Sequence, residues 1–216
     1  MEQKFIEIFN GLKRDYGYAD VSNGYKDTTT GKLRVKHAWA GKPITNIDYI
    51  QHLKGKKSIG VQPCDDEGMA QFGAIDIDPD YKNFDLRKYL KTIVDKKLPV
   101  IPIKSKSGGL HLYIFLKEKT KATAIRNFLD KLLYVLELES NTEIFPKQTE
   151  LGKTENDTPI NGNFINLPYY NKKERVAVNP HDGTEFTLEQ FLQVVDANIK
   201  TASELEEFAN SLVRDE

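Results

Sequence analysis

The order of apolar segments between residues 71 and 146 most constrains the fold of this chain. Short apolar runs alternate with two longer segments whose apolar residues recur at helical spacing. The predicted strands are 72–78, 100–103, 110–116 and 142–145, and the predicted helices are 86–97 and 122–137. This βαββαβ order is typical of the split βαβ, or ferredoxin-like, unit found in RRM-like domains. Right-handed crossovers place the first strand between the third and the fourth in an antiparallel sheet, so we predict an α+β protein.

The segments on either side of this unit carry weaker patterns. Residues 1–60 are predicted to form an N-terminal α/β part, with loops and short strands between Tyr16 and Gly41. Further predicted elements are helices at 2–14, 44–53, 187–198 and 202–213, and a fifth strand at 164–167. We expect a single domain over residues 1–200, with its core at 61–170, followed by a helical tail at 201–216.

Composition excludes several classes of protein. The chain has 31 Lys and Arg against 32 Asp and Glu, a formal net charge of −1, which argues against a uniformly basic nucleic-acid-binding surface. Cys64 is the single cysteine, so neither an intrachain disulfide nor a multi-cysteine zinc site is possible. No apolar run approaches the roughly 18 residues of a transmembrane span, and the N-terminal segment lacks the apolar stretch of a signal peptide. We therefore expect a cytoplasmic protein with no membrane partner.

Two acids on the first predicted strand are candidate metal ligands. Asp76 and Asp78 are two residues apart, so both carboxylates point to the same face of the sheet, while Ile75 and Ile77 point the other way. Acids so placed repel each other unless a cation compensates them. Oxygen ligands are typical of Mg²⁺ or Mn²⁺, and a pair of such ions serves in-line phosphoryl transfer. The alternative is that the acids lie at the exposed end of the strand without a ligand.

The turn between the second and third predicted strands carries candidate phosphate-binding residues. Glycines at 108 and 109 let a backbone approach a ligand and leave its N–H groups available. Lys104, Lys106 and Ser107 add side-chain donors, and His111 opens the third strand. The nucleotide-binding candidates are thus Lys104, Lys106, Ser107, Gly108 and His111. The alternative is an ordinary turn followed by a structural histidine.

A third acid lies on the fourth predicted strand. Glu143 becomes informative because the predicted topology brings this strand beside Asp76. Lys147 follows it as a further phosphate-binding candidate. Glu139 is the competing acid, although its place at the exit of a helix is typical of a solvated side chain. The sequence therefore predicts a site formed by three sequence-distant segments on one sheet face.

Taken together, these motifs resemble the archaeo-eukaryotic primase superfamily, and most closely the primase–polymerases of bacterial, phage and conflict-system operons, including TOTE systems and CRISPR-associated relatives. The residues that carry the resemblance are Asp76-Ile77-Asp78, Ser107-Gly108-Gly109-Leu110-His111 and Glu143. It extends over roughly residues 50–170 and includes the stretch Gly162 to Pro168. The resemblance implies an RRM-like palm, two metal ions (Mg²⁺ or Mn²⁺) held by the acids, and a histidine and lysines that bind the incoming triphosphate.

The same resemblance implies a template-dependent DNA primase–polymerase that makes or extends primers. Its expected partners are a single-stranded or primed DNA template, dNTPs or NTPs, and a helicase or other replication protein, in a bacterial, phage or plasmid context. The candidate site has many hydrogen-bond donors for phosphate oxygens, whereas the total charge is close to zero. This combination favours tight binding of nucleotides over tight binding of duplex DNA. That balance predicts synthesis that begins without a primer.

Three other functions use the same element order. A palm-type nucleotidyl cyclase requires acids in the hairpin that here reads Ser-Gly-Gly-Leu-His. A rolling-circle endonuclease requires a second histidine where Tyr113 stands. A non-catalytic RRM-like module would stack bases on sheet aromatics such as Tyr113 and Phe115, but an acid pair in the same sheet would repel phosphates in the absence of metal.

Overall fold

The computed structural model describes residues 1–26, 28, 33–81 and 84–212. The helices are α1 (Glu2–Ile8), α2 (Asn46–Leu53), α3 (Leu86–Asp95), α4 (Ala122–Val135), α5 (Leu188–Asn198) and α6 (Ala202–Ser211). The strands are β1 (Gly17–Lys26), β2 (Leu33–Trp39), β3 (Ile59–Val61), β4 (Met69–Ile77), β5 (Ile101–Lys104), β6 (Leu110–Lys121), β7 (Glu143–Phe145) and β8 (Ile165–Asn166). In this part of the chain, no helix combines the length and the apolar character needed to cross a bilayer.

The palm sheet has the order β5-β6-β4-β7, and each neighbouring pair is antiparallel. This confirms the predicted α+β fold and the central position of the first strand, here β4. β5 is an edge strand of the sheet, as Pro102 predicts. The N–H of Val178 donates to the carbonyl of Pro102 at 2.9 Å, so a later segment covers this edge. Asp85 caps α3 by accepting from the backbone N–H groups of Arg87 and Lys88.

The N-terminal part differs from the prediction. Instead of loops and short strands, β1 and β2 pair as an antiparallel hairpin in a second sheet of order β2-β1-β3-β8. The predicted fifth strand is β8, and it joins this second sheet through β3. The predicted helix at 2–14 ends at Ile8. Beyond it, the N–H of Leu12 donates to the carbonyl of Gln62 at 2.9 Å in place of a carbonyl one helical turn earlier. A Cβ at Gly11 would lie 2.1 Å from the same oxygen, so the chain runs directly against Gln62.

The palm sheet is buried on both faces. Ile75 and Ile77 pack against the helices of one core, as predicted. The opposite face carries Phe72, Ala74 and Tyr113, all with no exposed area, in a second core with α1, α2 and the second sheet. Ala74 shares this face with Asp76, two residues further along the strand. The structure leaves open only the end of that face, beginning at Asp76.

The C-terminal helices belong to the packed body. α6 contacts α4 through the rings of Phe128 and Phe208, whose centroids are 6.2 Å apart. Lys131 Nζ also donates to the carbonyl of Ala209 at 3.1 Å. The predicted tail at 201–216 thus packs as a helix over Ala202–Ser211, and residues 213–216 lie outside the described residues. The division into a domain and a tail stays a prediction.

Candidate active site

Three of the predicted site residues lie side by side at the open end of the palm sheet. Asp76 on β4 is in register with His111 on β6 and with Glu143 on β7. Because residues directly opposite in an antiparallel pair share a face, the sheet brings together three segments that are far apart in sequence. Glu143, and not Glu139, takes the position beside Asp76.

His111 is buried and contacts an acid. Its Nε2 atom lies 3.1 Å from Oδ1 of Asp76, and the side chain is 10% exposed. The register of β4 and β6 creates this contact. The imidazole is therefore held against the carboxylate, and its position is fixed before any ligand binds.

Asp78 follows the last residue of β4 and is exposed. Partial loss of solvent around the carboxyl raises its pKa even so, and three nearby carboxylates raise this pKa further, those of Asp76, Glu143 and Asp80. His111 acts in the opposite direction, and its effect is the smallest of the five. Negative charge at this end of the sheet is therefore incompletely compensated, which favours binding of a cation.

The three acids do not form a closed metal cage. Oε1 of Glu143 accepts from Nζ of Lys147 at 2.7 Å, while Asp76 lies against His111. Among the described residues, no group of three or more His, Cys, Asp or Glu side chains could by itself hold a metal ion. Mg²⁺ is usually bound by one or two carboxylates together with waters and substrate phosphates. Asp76 and Asp78 fit a site of that kind.

The turn between β5 and β6 is closed by hydrogen bonds of Ser105. Its Oγ accepts from the N–H of Gly109 at 2.9 Å, and its carbonyl accepts from the N–H of Gly108 at 3.3 Å. A Cβ at Gly109 would lie 2.3 Å from the carbonyl oxygen of Ile77, so the turn packs directly on the end of β4. The two glycine N–H groups predicted to be available are therefore used within the turn. Lys106 and Ser107 are exposed and supply the side-chain donors.

A cleft of about 680 Å³ opens at this end of the molecule. Five of the predicted site residues line it, namely Asp76, Asp78, Lys106, Ser107 and His111. Ser105 of the turn between β5 and β6 and Phe145 of β7 also line it. The second sheet and the segments next to β3 and β8 form the rest of its wall, with Ala19, His37, Ser58, Phe164, Ile165, Asn166, Tyr170, Glu174 and Arg175. Glu143 and Lys147 lie next to the cleft through the register of β7 with β4.

Lys104 does not join this group. It is in register with Leu110, whose side chain lies in the core on the helix side of the sheet, whereas Ile103 is in register with His111. Its Nζ donates to Oε1 of Glu185 at 2.8 Å. Lys104 therefore lies on the face opposite the cleft.

Arg175 also lines the cleft and is not among the predicted site residues. Its Nε donates to the carbonyl of Leu167 at 2.8 Å, and Nη2 donates to Oγ of Ser58 at 3.0 Å. The guanidinium lies over the Tyr170 ring, 5.7 Å from its centroid, and burial lowers its pKa. In sequence Arg175 ends the charged run that begins at Lys172, a pattern typical of a solvated surface. Nothing in that pattern indicates a cleft residue.

The cleft therefore combines carboxylates at one end of the palm with an arginine, a lysine, several hydroxyl groups and two imidazoles. Carboxylates are ligands for a divalent cation, and guanidinium, ammonium and hydroxyl groups are donors to phosphate oxygens. Such an arrangement can bind the phosphates of a nucleotide together with a metal ion.

Comparison with known proteins is consistent with this chemistry. Residues 8–204 match the family described as the archaeo-eukaryotic primase domain of the TOTE conflict system. No protein with a curated description matches the chain in sequence.

Solved structures with a similar backbone include two of the primase RepB′. Its catalytic domain in complex with initiator DNA is 10% identical, with 99% of this chain and 92% of that chain covered and a TM-score of 0.43. Another structure of RepB′ is 9% identical, with 99% and 61% covered and a TM-score of 0.44. The AEP domain of the primase–polymerase of cyanophage S-2L is 12% identical, with 88% and 94% covered and a TM-score of 0.41. Scores this low carry no functional argument, so the assignment rests on the sequence family. The match over residues 8–204 shows that this chain belongs to the archaeo-eukaryotic primase family of the TOTE conflict system type.

Proposed function

We propose that the protein is a template-dependent DNA primase–polymerase, which joins nucleotides by two-metal nucleotidyl transfer. Nucleotidyl transfer is the general chemistry of its family. The observation that carries the proposal is the composition of the cleft, in which Asp76 and Asp78 share one cavity with Lys106 and Arg175. Acids alone would repel a nucleotide, and basic groups alone would bind it without activating it.

The acids would hold Mg²⁺ or Mn²⁺. Asp76 and Asp78 would contact the ions, and Glu143 would join them by exchanging its contact with Lys147. Bound ions would neutralise the phosphates and stabilise the charge that develops on the attacking and leaving oxygens. The rest of the catalysis is positioning and electrostatics supplied by the protein.

The triphosphate would lie against the turn between β5 and β6. Lys106, Ser107 and Gly108 lie in this turn, and Arg175 lines the same cleft as Lys106 and Ser107. A guanidinium can bind two phosphate oxygens at once. His111 would donate to the triphosphate from the position that its contact with Asp76 fixes, and release of Glu143 would leave Lys147 available to the same group.

The substrates that follow are dNTPs or NTPs and a single-stranded or primed DNA template, with a helicase or another replication protein as a further partner. The net charge of −1 and the concentration of donors in one cleft favour strong nucleotide contacts and weak, salt-sensitive template contacts. This balance supports synthesis without a primer, because nucleotide contacts then replace contacts to a duplex.

The competing functions find less support. In an RRM-like binding module, bases would stack on Tyr113 and Phe115, but these side chains are 0% and 3% exposed beneath the N-terminal part. A cyclase would need acids in the hairpin turn, which carries Ser105, Lys106 and Ser107 instead.

Incorporation of labelled nucleotides tests the proposal. The protein is incubated with Mn²⁺ and nucleotides on unprimed and on primed templates, and products are resolved by length. We expect short products on the unprimed template and extension of the primer, both lost in Asp76→Asn. Lys104→Ala is the control, because Lys104 lies on the opposite face. Extension without products on unprimed templates would limit the function to a polymerase, and equal incorporation by Asp76→Asn would refute the metal assignment.

A further inference from the structure

Phe164 lies across two paired glycines at the edge of the cleft. Gly17 on β1 and Gly60 on β3 are register partners. A Cβ at either one would come within 2.3 Å of the Phe164 ring, near Cδ1 and Cε1 for Gly17 and near Cδ2 for Gly60. One face of the ring therefore rests on the backbone of the second sheet. The remainder of the half-buried ring lines the cleft that contains Asp76 and Asp78.

Two further aromatic side chains flank this ring. Trp39 is in register with Gly17, and His37 is in register with Ala19, so both lie on the face that Phe164 covers. The Trp39 and Phe164 centroids are 5.0 Å apart at an interplanar angle of 85°, and the His37 ring is 6.1 Å from Phe164. His37 is exposed and lines the cleft. Small residues form the floor of this surface and aromatic rings form its sides.

Asn166 adds an unused acceptor. It is in register with Gly60 and lines the same cleft. Its Oδ1 atom is buried and has no hydrogen-bond partner in the part of the chain that the structure describes. Buried acceptors normally have a partner, and an exocyclic amine of a base or a sugar hydroxyl would provide one. Two independent features, a ring and an acceptor, thus point to a nucleoside.

We propose that Phe164, Trp39 and His37 form a stacking platform for a nucleobase, with Asn166 as its hydrogen-bond acceptor. This inference rests on the proposed function and assigns the base of the nucleotidyl substrate to the second sheet. Stacking on an aromatic ring tolerates every base, because each has a π-face. The base is that of the template strand or that of the incoming nucleotide, and the experiment separates these sources.

Trp39 is the only tryptophan of the chain, so its fluorescence reports on this surface. Three probes are titrated in EDTA: an oligodeoxythymidylate, an abasic oligonucleotide of the same length, and dGTP. We expect saturable quenching by the base-carrying oligonucleotide or by dGTP, and weaker binding of the abasic strand. Quenching by the oligonucleotide alone assigns the platform to the template, and quenching by dGTP alone assigns it to the incoming nucleotide.

Phe164→Leu keeps the apolar cover of the glycines and removes the ring. We expect it to weaken base-dependent binding about five- to a hundredfold, as measured by anisotropy of a labelled probe, and Phe164→Tyr to bind like the wild type. Tyr134→Leu is the matched control, because Tyr134 is a 77% exposed aromatic on α4 outside the cleft. His37→Ala tests the exposed side of the platform if Phe164→Leu does not fold, and we expect weaker binding there too.

Equal binding of abasic and base-carrying strands, or wild-type affinity in both Phe164→Leu and His37→Ala, would overturn the inference. Nucleotide incorporation on the same preparations keeps the two proposals apart. If the wild type incorporates nucleotides normally and neither Phe164→Leu nor His37→Ala changes binding, the stacking platform is refuted and the proposed polymerase activity is not. If base-carrying probes quench the fluorescence of a wild type that incorporates no nucleotide, the stacking platform is supported and the proposed polymerase activity is refuted.

Discussion

Replacing Asp78 with asparagine is expected to stabilise the protein when no divalent metal is present. Burial raises the pKa of this carboxyl, and nearby acids raise it further, those of Asp76, Glu143 and Asp80. Ionised Asp78 is therefore less favourable in the folded protein than in the unfolded chain, and at neutral pH it lowers the free energy of unfolding. Asparagine keeps the shape of the side chain and removes the charge.

The expected increase in Tm on replacing Asp78 with asparagine is small, and bound metal reverses the sign of the difference. Asp78 lies two residues beyond Asp76, which is the register partner of Glu143. Charged pairs on one face of neighbouring strands contribute roughly 0.2–1 kcal/mol, and the exposure of Asp78 favours the lower half of that range. Since about 1 kcal/mol shifts the Tm of a chain of this size by roughly 2–4 °C, we expect an increase of about 1–2 °C in EDTA. A ligand at roughly 100 times its Kd adds about 2.7 kcal/mol, or roughly 5–10 °C. Asp78→Asn should lose most of that shift, so the wild type should have the higher Tm in Mn²⁺.

Thermal unfolding in EDTA and in Mn²⁺ measures both effects. A group with a raised folded pKa is without cost below its unfolded pKa of about 4, and the cost develops as the pH rises through the folded value. The difference between Asp78→Asn and the wild type in EDTA should therefore disappear near pH 4. Asp182→Asn is the control, because hydrogen bonds from Thr184 lower the pKa of Asp182, so this change should not raise the Tm. A lower Tm of Asp78→Asn in EDTA with an unchanged Mn²⁺ shift would refute the reasoning.

Three further variants test the cleft. His111→Ala should raise the nucleotide KM about ten- to a hundredfold, the cost of one charge-assisted hydrogen bond; a loss of template affinity at constant KM would move His111 to the template path. Arg175→Met should also raise the nucleotide KM, measured beside Lys104→Ala as the unaffected control, and an unchanged KM would leave the guanidinium a structural role only. Gly109→Ala would place a Cβ 2.3 Å from the carbonyl oxygen of Ile77. Such overpacking costs roughly 1–3 kcal/mol, so both Tm and incorporation should fall, and wild-type values would show that the turn can shift freely.

The palm was predictable because its residues follow two clear periods. Ile75 and Ile77 alternate with acids at the end of β4, and apolar residues recur at helical spacing in α3 and α4. The handedness of crossovers then favours the observed strand order for this sequence of elements. Single residues supplied the details, since Pro102 is compatible with an edge strand and Asp85 with a helix N-terminus. Each of these features depends on residues that are close together in the sequence, so the sequence alone is enough to predict it.

The second sheet was not predictable from local pattern. One face of β1 carries Gly17 and Ala19 where a half-buried strand normally carries larger apolar side chains. Its floor is completed by Gly60 and covered by Phe164, which is far away in the chain. When only the neighbouring residues in the sequence are considered, glycines indicate a loop. Here the glycines lie in strands because the ring of Phe164 packs on them. Phe164 is too distant in sequence to be part of a local pattern.

The candidate site divides along the same line. The rule that alternate strand residues share a face placed Asp76 and Asp78 together, and the topology placed His111 and Glu143 beside them. Applied to β5, the same rule would have put Lys104 on the opposite face. Arg175 lies outside the predicted core and reaches the cleft through a loop, so neither period nor topology locates it.

Burial of the palm sheet on both faces decides where the substrate can enter. The aromatic side chains in the middle of the sheet lie beneath the N-terminal part, so a nucleic acid cannot lie across the sheet as it does on an RRM. Among the residues that the structure describes, the sheet is open at its end, where Asp76, Asp78 and His111 line the cleft. The second sheet contributes Ala19, Ile165 and Asn166 to the wall of that cleft, and the proposed contacts to a base would come from there. The N-terminal part thus buries the aromatic face of the palm sheet, and it also carries the aromatic surface on which we propose that a base stacks.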